Sequence, residues 1–267
     1  MQGLTDGGAL SWSWDKTLRV WDGQNGQCLA VLEGHSHAVW GARQLADGRI
    51  LSWSEDSRLR VWDWQKGECL AVLEGHSSKN YGKVYGAQEL ADGRILSWSE
   101  DRRLRVWDWQ KGECLAILEE RHSPEIWGKS WGEPLYAQEL ADGRILSCWK
   151  DSRLRVWDWQ SGQCPVVLEG HSPEIWGDLL YAQELADGRI LSWSEDKTLR
   201  VWNAQNGQCL AVLEGHFFKV EGARGLADGR ILSWSWDKTL RLWDGQSGQC
   251  LAVLQGHSSG VRGAREL

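Results

Sequence analysis

"DGRILSWSEDSRLRVWDWQKGECLAVLEGHS", Asp47–Ser77, holds three short runs rich in Val, Ile, Leu and Trp: "RILSWS", "LRVW" and "CLAVL". Each is too brief for a globular helix and is bounded by turn residues, so each reads as a strand. Asp-Gly precedes the first run and the glycine of "QKGE" precedes the third, which supplies the backbone freedom that tight turns need. The stretch recurs. Aligned on the Asp-Gly dipeptide, equivalent residues are Asp6, Asp47, Asp92, Asp142, Asp187 and Asp228, at intervals of 41, 45, 50, 45 and 41 residues. That period belongs to arrays and propellers. With a run such as "VYGAQEL", each unit has four antiparallel strands.

These strands alternate little between apolar and polar residues, which predicts burial on both faces. A lone four-stranded sheet cannot arrange that, so neighbouring sheets must cover each other. Radial stacking does so and, when closed, leaves no exposed terminal sheet.

Composition narrows the function. Of 267 residues 30 are basic and 37 acidic, a net charge of -7, the wrong sign for gripping phosphate backbones or anionic lipid. Neither nucleic acid nor a membrane is expected as a partner. No apolar run approaches the roughly 20 residues of a spanning helix, and "MQGLTDGGALSW" lacks the regions of a secretory signal. The expectation is a soluble, cytoplasmic chain. Six of the seven cysteines occupy one repeated position at the start of runs such as "CLAVL", and no C-x-x-C occurs, so buried reduced thiols are expected rather than disulfides or zinc ligands. Cys148 instead replaces the Trp found at Trp12, Trp53, Trp98, Trp193 and Trp234.

The repeat resembles the WD40 family: "GH" precedes the first strand, "SxSxD" marks the second and "WD" ends the third. The resemblance spans essentially the whole chain and departs from the pattern at Trp202-Asn203, Arg121-His122 and "SCWKD", Ser147–Asp151. It implies an all-β fold, a closed six-bladed β-propeller of four-stranded antiparallel blades, as one domain over residues 1–267. Residues 1–33 supply the second to fourth strands of a blade and "VRGAREL", Val261–Leu267, a first strand, so the C-terminal strand is expected to complete the N-terminal blade.

The resemblance also implies a hydrogen-bonded tetrad of His, Ser, Asp and Trp in each repeat. The sets are His35, Ser52, Asp56 and Trp62; His76, Ser97, Asp101 and Trp107; His122, Ser147, Asp151 and Trp157; His171, Ser192, Asp196 and Trp202; His216, Ser233, Asp237 and Trp243; and His257, Ser11, Asp15 and Trp21. A Ser-His-Asp hydrolase would need an exposed nucleophile and an oxyanion hole, and nothing here supplies a nucleophile elbow. Equivalent copies favour structure over catalysis. No cofactor and no metal site is expected, because the histidines belong to different repeats and each already has a partner.

Binding is sought where the repeats stop agreeing. Length varies almost entirely between the His and the following first strand, and the longer connections bring Tyr81, Tyr85, Trp127, Trp131, Tyr136, Trp176 and Tyr181. The resemblance implies that these share the top face with the loops after "SWS", which carry Glu100 and Lys150, and with Phe217 and Phe218. Such a surface suits a protein or peptide partner. The alternative reading is a lectin-like propeller whose Trp and Tyr faces stack on sugar rings. Trp64, Trp109 and Trp159 of "WDWQ" form a separate group, expected to cap the blade ends, and Glu89, Glu139, Glu184 and Glu266 beside polar first-strand residues are expected in a hydrogen-bonded lining.

Overall fold

The structure, a computed structural model, describes residues 2–4, 7–77, 82–119, 134–172 and 181–264. Among these the chain is all-β, with no helix, and forms six four-stranded antiparallel sheets, the arrangement of a six-bladed propeller. In chain order they span 2–32, 39–74, 84–118, 134–168, 181–213 and 220–254. The second is typical: Val39–Gln44, Ile50–Ser54, Arg58–Asp63 and Glu68–Glu74 lie side by side in that order. Two compact units are distinguished, Met1–Glu125 with Ala137–Glu139 and Trp159–Gln163, and Ile126–Tyr136 with Leu140–Asp158 and Cys164–Leu267.

Within each unit the core lies between consecutive sheets. In the first, Leu45, Leu51, Leu59, Val61 and Leu73 pack with Val84, Ala87, Ile95 and Trp107 of the next sheet. In the second, Leu191, Leu199, Val201 and Leu213 pack with Val220, Ala223, Ile231 and Trp243. Trp107 and Trp243 are therefore buried by the repeat before their own.

The turn after the second strand is built by its own side chains. Asp56 accepts from the Arg58 N–H at 3.0 Å, and Ser54 Oγ accepts from the Asp56 N–H at 3.0 Å. Between them Ser57 takes a left-handed conformation at φ 67°, and Lys16, Arg102, Ser152, Lys197 and Lys238 do the same. The Asp hydrogen bonds offset a conformational cost of about 1 kcal/mol or more per residue.

Two expectations need correction. The fourth strands are not buried on both faces: Leu29, Val31, Leu70, Val72, Leu115 and Ile117 are all exposed. They are outer edge strands, with a neighbour on one side only, so their alternate residues face solvent. For the same reason the repeated cysteines are not buried thiols; Cys69, Cys114 and Cys250 are exposed and Cys28, Cys164 and Cys209 half-buried. Each rests its Sγ against the carbonyl two residues on, as Cys69 does on Ala71 at 3.4 Å. Cys148 is fully buried, and burial pushes its thiol pKa well up.

At the N-terminal sheet, Gln2–Gly3 pair with Leu10 and Ala9. Val261–Ala264 lie in no strand, and Arg265–Leu267 fall outside the described residues.

Candidate functional site

The Ser, His, Asp and Trp sets come together at the junction of each second strand with the preceding connection. Around His35, Nδ1 lies 2.9 Å from Asp56 and Nε2 2.8 Å from Ser52 Oγ, while the Trp62 indole donates to the same Oγ at 2.8 Å. His171 repeats this with Asp196 at 2.8 Å, Ser192 at 2.8 Å and Trp202. His216 does so with Asp237 at 2.8 Å, Ser233 at 2.7 Å and Trp243. In these three sets one proton arrangement satisfies every group: Trp donates to Ser, Ser to Nε2 of a neutral ring, and Nδ1–H to Asp. His76 joins Asp101 and Ser97 likewise, with buried Arg105 added, its guanidinium donating to Asp101 at 2.7 Å.

The electrostatics suit a neutral ring beside an ionised carboxylate. Burial lowers the pKa of His76 and of His216. Burial works to raise Asp196, but hydrogen bonds from His171 and Thr198 outweigh it and hold the carboxyl at about 2. Ser52, Ser97, Ser192 and Ser233 are fully buried and already accept an indole proton. These oxygens are closed to solvent, and each set ties the connection that carries its His to the second and third strands that follow. Replacing Trp107 with Phe removes the donor to Ser97 Oγ, 2.8 Å away. The expected loss is about 1–3 kcal/mol of stability by denaturant unfolding; a variant as stable as the parent would mean the indole bond contributes nothing.

The fourth sheet solves the same problem differently. Ser147 Oγ accepts from Trp157 at 2.8 Å and from Trp149 at 2.6 Å. The Trp149 and Trp157 rings lie 6.2 Å apart, the separation at which His35 sits from Trp62. Trp149 thus lies beside Ser147 as histidine lies beside serine in the other sets, but as a donor to the hydroxyl, and Asp151 is held by Arg155 at 2.6 Å. His122 lies outside the described residues. In the N-terminal repeat Trp21 donates to Ser11 at 2.8 Å and Asp15 accepts from Thr17, while His257 is exposed.

Of the aromatic candidates, Tyr81, Trp127, Trp131 and Trp176 lie outside the described residues. Tyr136 and Tyr181 stand on first strands, at the position that Gly41, Gly86 and Gly222 hold elsewhere. There glycine is required by contact: a Cβ on Gly86 would lie 2.2 Å from the indole of its cross-strand partner Trp98. Where tyrosine replaces glycine, the two sheets differ. Tyr136 packs against the core that contains Cys148, and Tyr181 stacks on Trp193 at 6.0 Å. Aligning the first strands residue by residue reveals this exchange; attention to the connections alone does not. Tyr85 is half-buried near Lys83, whose Nζ lies 2.9 Å from the Trp40 ring centre. Glu100 is half-buried and Lys150 exposed.

Tyr181 is itself 41% exposed, and the most exposed of the described aromatics lie elsewhere. In the second unit Phe217 is 76% exposed, Phe218 54% and Trp236 49%. The two Phe rings meet edge to face at 5.6 Å, and the Phe217 N–H donates to Asp237, so the tetrad below anchors the loop. Lys219 lies 4.5 Å from the Trp236 ring centre and 3.2 Å from Glu195, while the Trp236 indole donates to Glu221. Trp14 of the first unit is 78% exposed.

The "WDWQ" tryptophans pack inward. Arg49 lies 4.9 Å from the Trp109 ring centre and Arg94 4.7 Å from that of Trp159, so these rings close off the turn of a neighbouring repeat. Trp64 packs against a core cluster. Among the described residues no group of three or more His, Cys, Asp or Glu is placed to hold a metal, and no helix is long and apolar enough to cross a membrane.

Comparison with known proteins agrees with this architecture. The WD40 family profile (WD domain, G-beta repeat) matches residues 26–63, 67–108 and 207–244. No curated protein matches the chain.

Proposed function

Because this chain carries WD40 repeats, we propose that it is a noncatalytic scaffold holding a protein or peptide partner on its aromatic loops. WD40 repeats mediate protein interactions, and the observation that carries the reading here is the exposed group of Phe217, Phe218 and Trp236 beside Lys219. Large aromatics left wet on a rigid frame supply the apolar area a binding centre requires, and the interleaved Lys219, Glu195 and Glu221 orient a partner without favouring either sign of charge. A polyanion gains little from such a surface, which together with the net charge of -7 supports a protein rather than a nucleic acid or a membrane. The enlarged connections bearing Tyr81, Trp127 and Trp176 form a second arm of the same proposal, and the cytoplasm is its setting. A peptide selected from a display library against the intact protein tests it. Joint replacement of Phe217, Phe218 and Trp236 by Ala is expected to weaken that peptide by about 2 kcal/mol or more in calorimetry, the scale of a hot spot; replacing Tyr81, Trp127 and Trp176 probes the second arm. A peptide that binds both triple variants as tightly as the parent rejects the aromatic surface.

The scaffold reading includes a closed ring. The Val261 N–H donates to Ser235 O at 3.0 Å, as Val220 donates to Ser194 and Val39 to Ser13 where first strands begin. Among the described residues Gln2–Gly3 pair with Leu10 and Ala9, and the proposal assigns Ser11 and Trp12 to residues 261–264. Deleting residues 258–267 is therefore expected to lower Tm by several degrees. A truncated chain that melts with the intact one sinks the closure.

A further inference from the structure

At three turns a glutamate of one repeat reaches back to the repeat before it. Glu89 Oε2 accepts from the Ala46 N–H at 2.7 Å, Glu139 from Ala91 at 2.7 Å and Glu184 from Ala141 at 2.7 Å. The geometry is the same each time: a carboxylate on a two-methylene arm, set on the end of a first strand, meets the amide that opens an "ADGR" turn. The next member breaks the series. Gly225 stands where Glu184 stands in the preceding sheet, and Ala186 is the counterpart of Ala141. Among the described residues no group accepts from the Ala186 N–H.

A cavity of about 380 Å³ lies at this place, lined by Gln183, Leu185, Ala186, Gly225, Leu226 and Arg230 among others. A Cβ on Gly225 would lie 2.6 Å from Leu185 Cδ2 and 3.9 Å from Gln183 Nε2, so a side-chain amide borders the place where the glutamate arm of the other repeats would start. The arginines of the lining are already matched: Arg189 binds Asp187 at 2.7 Å and Arg230 binds Asp228 at 2.6 Å. Recognition here therefore rests on directed N–H donors, with no excess of positive charge to attract anions in general.

We infer that this cavity binds a carboxylate borne on a short alkyl arm, which takes the Ala186 N–H as Glu89, Glu139 and Glu184 take theirs. The chemistry is that of a glutamate side chain, delivered by a partner polypeptide or by a free short-chain acid. It is independent of the aromatic loops, since none of Phe217, Phe218 and Trp236 lines the cavity.

Amide-resolved ¹H–¹⁵N NMR of the intact protein tests it, with butyrate as probe and butyramide as its uncharged control. Butyrate is expected to move the Ala186 amide downfield and to saturate, while the Ala141 amide, already bonded to Glu184, stays in place. Butyramide is expected to leave Ala186 where it was. Blocked N-acetyl-glutamate methylamide separates the sources: binding at least threefold tighter than butyrate assigns the site to a polypeptide, and weaker binding assigns it to a free acid. Two variants close the argument. Gly225→Glu supplies the carboxylate from within and is expected to shift the Ala186 amide without ligand and to abolish its response to butyrate. Glu184→Ala exposes the Ala141 amide, which should then respond to butyrate. An Ala186 amide that ignores butyrate, answers butyramide equally, or still responds in a folded Gly225→Glu protein overturns the assignment; should that variant not fold, the Glu184→Ala response decides.

Discussion

Gly86→Tyr is expected to cost about 3 kcal/mol of stability. The first-strand glycine faces Trp98 across the ladder, Trp98 is 7% exposed, and even a Cβ at position 86 would lie 2.2 Å from the indole. Neither can yield, because the strand is pinned on its other side by core packing. Trp98→Cys alone should cost a similar amount, about 3–5 kcal/mol, by leaving a cavity. Combined, the two changes reproduce the exchange seen in the fourth sheet, where tyrosine stands at position 136 and cysteine at 148. The double variant is accordingly expected to be more stable than the sum of the single losses by about 2 kcal/mol, a coupling measurable in a double-mutant cycle by urea unfolding. Strict additivity would show that the two side chains do not share one space. The fifth sheet gives no escape for Gly86→Tyr: Tyr181 stacks on Trp193 because it begins its strand and is 41% exposed, a freedom residue 86 lacks.

Acid is expected to unfold the protein in two stages. His76 and His216 are neutral when folded, with burial holding their pKa below the usual 6.5, so the unfolded chain binds the proton first. Stability from this source is complete above pH 6.5 and falls as pH drops below it. Asp196 and Asp237 stand at about 2, against 3.8 when unfolded. For Asp237, burial works upward and hydrogen bonds from Thr239, the Phe217 N–H and His216 prevail. Each carboxylate contributes on the order of 2 kcal/mol above pH 3.8, lost as pH falls toward 2. Tm measured from pH 7 downward should therefore decline gently below 6.5 and steeply below 3.8, and Asp196→Asn should flatten the lower stage. A Tm constant from pH 7 to 3 would contradict the neutral buried rings.

The strands, their order and the membership of the sets around His35, His76, His171 and His216 could be read from the amino acids because the repeat states them several times over. What escaped the sequence is what the repeat does not state. Trp149 reaches Ser147 from a different place in its repeat, so alignment by position puts it under Ser54 and Ser99 and hides its role. Tyr136 and Tyr181 look like loop aromatics until their strand register is known. Exposure of the fourth strands follows from their place at the sheet edge, which "CLAVL" does not reveal, since its composition matches that of a buried strand. Phe217 and Phe218 are placed on the top face by the sequence, but they occupy a connection of ordinary length, so nothing in the repeat marks them above the insertions.

The glutamates that reach back along the chain also set an order of assembly. The turn at Ala46 is finished by Glu89, 43 residues later, and the turn at Ala91 by Glu139, 48 residues later. During synthesis the repeats holding Ala46, Ala91 and Ala141 thus leave the ribosome with one amide unanswered and are completed by their successors, so consolidation there runs one step behind the growing chain. Gly225 interrupts that relay within the second unit. On the reverse journey, when the native protein opens locally, the amide at Ala186 has no successor to hold it, and the fifth and sixth sheets are where hydrogen exchange would first find slack.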